Sequence, residues 1–156
     1  MASAVERFRE EALRLGLSLK ILEFPEGTRT AAEAAEAVGS DIGQIVKSLV
    51  FMADGSAVLA LTSGRNRVDP AALARLIGAA RVRKATPEEA REATGYAIGG
   101  TPPFGHTRLI DVFVDRDLLD YEVLWAAAGT PKAIFAISPR DLLAATGGTA
   151  ADFREG

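Results

Sequence analysis

Apolar positions along the chain fall into short blocks of two periodicities. Near the start, Val5, Phe8, Ala12 and Leu15 recur at helical spacing behind Ser3-x-x-Glu6, a capping box, and Gly16 supplies the stop. Leu19 to Phe24 reads as a short strand ended by Pro25 and a Glu26-Gly27 turn. Thr30-x-x-Glu33 opens an alanine-rich helix closed by Gly39, and Ile42 to Val46 reads as a further turn of helix. Two apolar runs, Lys47 to Ala53 and Ser56 to Thr62, flank Asp54-Gly55, a dipeptide at ease with the positive φ of a two-residue hairpin. Both runs carry apolar residues at consecutive positions, so both faces of the hairpin should be covered.

Further on, Asp69-Pro70 starts a helix to Ile77 that Gly78 ends, and Arg81 to Lys84 forms a short basic strand. Thr86-Pro87-Glu88-Glu89 combines an N-cap, a proline at the first helical position and a capping box, with Gly95 as the stop. A glycine- and proline-rich loop, Tyr96 to His106, precedes three strands: Arg108 to Asp115, Tyr121 to Ala126 and Ala133 to Ile137. Ser138-Pro139 caps a last helix ending at Gly147-Gly148, beyond which a frayed tail is expected. Six or seven short strands punctuated by helices, without a regular βαβ rhythm, predict an α/β (α+β) fold. Its sheet should be mixed and barrel-like, six- to seven-stranded and surrounded by helices, not doubly wound. A chain of 156 residues makes one domain, 1–156.

Composition narrows the chemistry. With no cysteine, disulfides, thiolate metal sites and cysteine nucleophiles are excluded. With one histidine, His106, so is a multi-histidine metal site; no metal and no cofactor are expected. The net charge of −3 argues against a general nucleic-acid coat. That charge is unevenly placed. Arg65, Arg67, Arg75, Arg81, Arg83 and Lys84 against Asp69 give 65–84 a net +5, leaving −8 elsewhere. Such a stripe either meets a polyanion on one face or is neutralised by acids near in space. No apolar run resembles a signal peptide or approaches a membrane span, so a soluble, cytoplasmic protein without a membrane partner is expected.

Three places could carry chemistry. Lys47 sits at the mouth of a strand on the same face as Leu49 and Phe51, where it either snorkels to solvent or serves as a fixed cation. The segment Gly95 to His106, with four glycines and two prolines, can aim backbone N–H groups at an oxyanion or serve only as a connection. It lacks the Gly-Lys-Ser/Thr of a phosphate-binding P-loop, and the chain has no Gly-x-Ser-x-Gly elbow. Ala127 to Lys132 joins two strands, its Gly129 either a hairpin glycine or part of a small pocket.

Taken together, Ile45-Val46-Lys47-Ser48-Leu49-Val50-Phe51, Gly95-Tyr96-x-x-Gly99-Gly100-Thr101-Pro102-Pro103-Phe104-Gly105 and Ala128-Gly129 resemble the YbaK/EbsC family over nearly the whole chain. These are trans-acting aminoacyl-tRNA editing proteins related to the editing domain of bacterial prolyl-tRNA synthetase. The resemblance implies a deacylase that hydrolyses the ester of a mischarged tRNA, of a prolyl-tRNA or related type and carrying a small amino acid, without metal or cofactor. It implies catalytic roles for Lys47, Gly99 and Gly100, and substrate contacts from Ser48, Thr101, Pro103, Gly105, His106, Ala128 and Gly129. Arg65, Arg67, Arg81, Arg83 and Lys84 would meet the tRNA acceptor end, with a synthetase or elongation factor as a delivering partner. Residues Thr101 to His106 depart from the cysteine-deacylating members, leaving threonine, serine, alanine and cysteine open as the amino acid removed. The alternative is a noncatalytic module that senses tRNA ends and regulates a partner.

Overall fold

The computed structural model describes residues 2–28 and 30–156; Met1 and Arg29 lie outside it. Asp54 and Gly55 both take positive φ, +49° and +87°, the two-residue turn their identities favour. That turn sets the register of the longest ladder, β2 (Val46–Ala53) against β3 (Ser56–Ser63), from Ala53–Ser56 to Val46–Ser63. Around it, β4 (Val82–Lys84), β5 (Asp111–Asp115) and β8 (Thr149–Ala151) complete a five-stranded sheet in the order β4-β2-β3-β5-β8. The β3–β5 and β5–β8 pairs are parallel and the others antiparallel, so the sheet is mixed. A second, antiparallel sheet holds β1 (Ile21–Glu23), β7 (Ala133–Ile137) and β6 (Leu124–Ala127), and a bridge between Ile45 and Trp125 joins it to β2.

Five α-helices surround the sheets: α1 (Ala4–Arg14), α2 (Ala31–Val38), α3 (Pro70–Ile77), α4 (Pro87–Thr94) and α5 (Pro139–Thr146). Each begins at a cap legible in the sequence. Ser3, Thr30, Asp69, Thr86 and Ser138 each accept a backbone N–H of the first turn, and α4 has the full capping box. The hairpin is covered on both faces. Leu59 and Leu61 of β3 point into the main core with Phe8, Phe135 and Leu124, while Val58 and Ala60 point into a second core with Phe51, Leu73 and Phe153.

Three boundaries depart from expectation. The tail is not frayed. Thr149–Ala151 adds β8, Phe153 is buried, and Arg154 forms an antiparallel bridge with Val68. Its short apolar run finds partners only in space. β5 begins at Asp111, not Arg108: its parallel ladder with β3 starts at Val58–Asp111, and residues 108–110 lie outside it. β6 begins at Leu124, not Tyr121, because its partner β7 ends opposite it at Ile137, where Ser138 caps α5.

Candidate active site

β2 has an open edge. β4 pairs with it only over Phe51–Ala53, with one further bond from the Ala85 N–H to the Val50 carbonyl at 3.0 Å. On the same side β6 meets the start of β2 only at the Ile45–Trp125 bridge. Alternation from the two-residue hairpin turns the polar backbone groups of Lys47, Leu49 and Phe51 toward β3, and those of Ser48 toward this gap. Beside the gap lies a cavity of about 330 Å³, small for a ligand pocket.

Each wall has a local cause. Val46 to Val50 form one side; Trp125, Ala126 and Ile134, from β6 and β7, form another. Small residues of α2 and α4, Ala31, Ala34 and Ala90, let those helices approach. Thr28, Thr30, Gly99 and Thr101 add polar and backbone groups, and Ile98, half exposed, stands at the lip. The Ser48 hydroxyl is buried without a hydrogen-bond partner, the one such side-chain atom among the described residues.

Lys47 is half-buried at the cavity, and its ammonium donates to the Asn66 carbonyl oxygen at 2.5 Å. Burial holds its pKa below the ordinary lysine value; the charges of Arg67 and Lys84 act in the same direction, against that of Asp115. Of the two readings of Lys47 offered by alternation, the head does not snorkel away; a backbone carbonyl, not an acid, holds it.

The glycine loop divides. Gly99 and Thr101 reach the cavity; Gly100, Pro103, Gly105 and His106 do not. Gly100 donates its N–H to the Ala97 carbonyl at 3.1 Å, so that group is not free to hold an oxyanion. Its carbonyl accepts from the Gly129 N–H at 3.0 Å, and a Cβ at Gly100 would stand 2.6 Å from the Thr130 Cα. Close packing of two loop backbones, not approach to a substrate, is what requires glycine there. Ala128 and Gly129 are buried behind the cavity wall, Gly129 against the first turn of α1, where a Cβ would lie 2.8 Å from the Ala4 carbonyl oxygen.

Pro103 and Phe104 are buried, and Phe104 packs 5.1 Å from Phe8 of α1 and 5.9 Å from Phe135 of β7, ring centre to ring centre. Gly105 faces Glu11. His106 Nε2 donates to the Pro102 carbonyl at 2.7 Å, and burial holds the ring's pKa below its ordinary value, so His106 staples the loop as a neutral ring.

The basic stripe also divides. Arg65 pairs with Asp41 at 2.5 Å and Arg83 makes a two-pronged pair with Glu89 at 2.7 and 2.8 Å. Arg81 sits at the hairpin tip, its N–H bound to Asp54, about 20 Å of strand from Lys47. Only Lys84, on the cavity wall, and Arg67 stand close enough to Lys47 to affect its charge. Sequence reasoning missed Trp125, Ile134 and Thr28, which carry no motif, Ile45 and Thr30, whose motifs do not point to a cavity, and Asn66, which reads as an ordinary turn residue.

The family of the aminoacyl-tRNA editing domain matches residues 25–145. Protein YwhH of Bacillus subtilis, uncharacterized, is 30% identical over 123 residues, 78% of either chain. The proline–tRNA ligase of Nitratidesulfovibrio vulgaris strain DP4 is 35% identical over 92 residues, which is 59% of this chain but only 16% of the ligase. Among solved structures, a candidate trans-editing enzyme for prolyl-tRNA synthetase superposes with a TM-score of 0.94 at 49% identity, covering 100% of this chain and 99% of the other.

Proposed function

The chain belongs to the aminoacyl-tRNA editing domain family, and from that premise we propose that it deacylates mischarged tRNA by water attack on the aminoacyl ester. One observation carries the reading. A small cavity has a half-buried cation, Lys47, on its wall and the open backbone edge at Ser48 beside it, and no histidine or carboxylate lines it among the described residues. An aminoacyl ester needs little more, since its carbonyl is already activated. As water adds to the carbonyl carbon, charge gathers on the carbonyl oxygen, and fixed N–H donors lower that barrier. The Ser48 edge and the Gly99 backbone supply such donors, and Gly100 does not. The ester C–O bond then breaks, giving free amino acid and the terminal hydroxyl of the tRNA. The neighbouring ribose hydroxyl of the substrate, which the family resemblance implies helps to activate the water, relays the water's proton to the leaving ester oxygen.

Cavity size and lining set the substrate class. About 330 Å³ walled by Ala31, Ala34, Ala126 and Trp125 suits a small side chain and turns away a bulky one. Arg67 and Lys84 beside Lys47 give the terminal phosphates a short basic approach.

The test is deacylation of a panel of tRNAs carrying alanine, serine, threonine, cysteine or proline, with wild type and Lys47→Ala. Wild type should release at least one small amino acid and spare proline. Lys47→Ala should lose about 100-fold or more in turnover with little change in melting temperature, because a half-exposed strand-mouth lysine packs little apolar surface. Lys47→Arg should also be impaired, since a planar fork does not replace a compact ammonium. Wild-type turnover in Lys47→Ala overturns the catalytic assignment. Tight tRNA binding without any deacylation favours the noncatalytic module instead.

A further inference from the structure

A half-buried ammonium flanked by Arg67 and Lys84 needs something to hold it, and the acceptor it reaches is a backbone carbonyl, that of Asn66. The side chain of the same residue is tied down on its other side. Asn66 Nδ2 donates to Asp115 Oδ2 at 2.9 Å and to Asp117 Oδ2 at 2.8 Å, spending both its hydrogens on carboxylates. Asp115 is itself buried and immobilised, accepting the Ser63 N–H on Oδ2 and the Asp117 N–H on Oδ1, each at 3.0 Å. Asp117 is paired with Arg154 of the C-terminal tail. The tail also clamps the turn directly: the Glu155 N–H bonds the Arg67 carbonyl and the Asp69 N–H bonds the Phe153 carbonyl, each at 2.8 Å.

We propose that Asn66 is the positioning residue of the Lys47 site, its amide locked between Asp115 and Asp117 so that its carbonyl holds the Lys47 ammonium, with the Arg154 tail bracing the assembly. The proposal rests on the reading of Lys47 as the working cation. It explains why an amide stands here: a carboxylate at 66 would bring a third negative charge to Asp115 and Asp117, and an aliphatic residue would leave both without their shared donor. It also gives the C-terminal segment a task at the site, although none of its residues lines the cavity.

Three variants of the full chain test it: Asn66→Ala, Asp117→Asn and Lys47→Ala. Asp117 is partly exposed, and its carboxylate reaches Lys47 only through Asn66, so Asp117→Asn disturbs the lock with little risk to folding. Two readouts are compared with melting temperature. The first is acetylation of Lys47 by acetic anhydride across pH, followed by peptide mass spectrometry, which reports the state of the ammonium whether or not the protein is an enzyme. The groups that bear on that ammonium, Arg67, Lys84 and Asp115, are unchanged in both lock variants. A displaced carbonyl no longer favours the charged form, so labelling at pH 8 should rise about threefold. The second is deacylation, where kcat should fall about 10- to 100-fold in Asn66→Ala with KM within twofold, the pattern of a misplaced catalytic group.

Folded Asn66→Ala with wild-type labelling and wild-type kcat overturns the proposal. If Asn66→Ala fails to fold, Asp117→Asn decides by the same two readouts. Wild-type turnover in Lys47→Ala defeats the functional reading, while a labelling increase in the lock variants still establishes the anchor. An inactive Lys47→Ala beside lock variants that match wild type in both readouts defeats the anchor alone.

Discussion

Gly99, Gly100 and Gly129 perform three different duties within one small region of the molecule. Gly99 sits at the cavity with a φ of +87° and open space except for Pro131. Alanine there should cost about 1–2 kcal/mol of backbone strain, with a larger proportional loss of turnover because the new methyl stands at the pocket. Gly100 and Gly129 hold two loops and α1 together, so alanine at either meets backbone. Each should lose about 2–3 kcal/mol in urea denaturation, and any loss of activity should follow the loss of folded protein. If Gly100→Ala unfolds at the wild-type urea midpoint but is inactive, Gly100 belongs to the chemistry after all. His106 makes a parallel case. Its ring is used up as a staple within the loop, so a histidine that looks from the sequence like a candidate for substrate contact acts on the site through loop shape.

The elements that frame the site are pinned at their ends. β4 and α4 meet at Thr86, where the capping box and the Arg83–Glu89 fork share one carboxylate. The Arg83 guanidinium and the Thr86 N–H hold the Glu89 carboxyl down to about 2, from an ordinary 4.5. A depressed carboxylate stabilises the fold above its unfolded value, and that contribution fades as pH falls from about 4.5 toward 2. Arg83→Ala should therefore be less stable than wild type at pH 7, with the difference narrowing as pH falls through this window. Urea titrations at about pH 7, 4 and 2.5 would show it, and an equal difference at all three would refute the link. The pair lies at the surface, so salt should narrow the gap as well. α1 acts more remotely: Phe8, fully buried between Phe104 and Phe135, ties the glycine loop to β7.

Across the whole molecule, charge divides into residues spent on the fold and residues left for a ligand. Arg65 and Arg83 are paired with Asp41 and Glu89, whereas Arg67 and Lys84 flank Lys47. Replacing Arg67 and Lys84 with alanine should weaken tRNA binding and lower the slope of log affinity against log salt by about 0.7–0.9 for each phosphate no longer neutralised. The same changes at Arg65 and Arg83 should leave the slope nearly intact, and equal effects from both pairs would sink the distinction. The linear code by itself determined the helix caps, the two-residue hairpin, the lysine at its mouth and the family, because these depend on local φ preference, hydrogen bonding within a turn and residue order. Tertiary structure alone decided what surrounds them. It opened the edge of β2 by giving β4 only three residues of pairing, and it brought Trp125 and Ile134 to face that edge from the other sheet. It sent Gly100 and His106 to the loop's own support and drew the tail back to residues 67–69, beside the Asn66 carbonyl that holds Lys47. Most of these contacts join residues tens of positions apart, and they form because burial of apolar surface and satisfaction of buried polar groups are met by the whole fold, which no local pattern in the chain encodes.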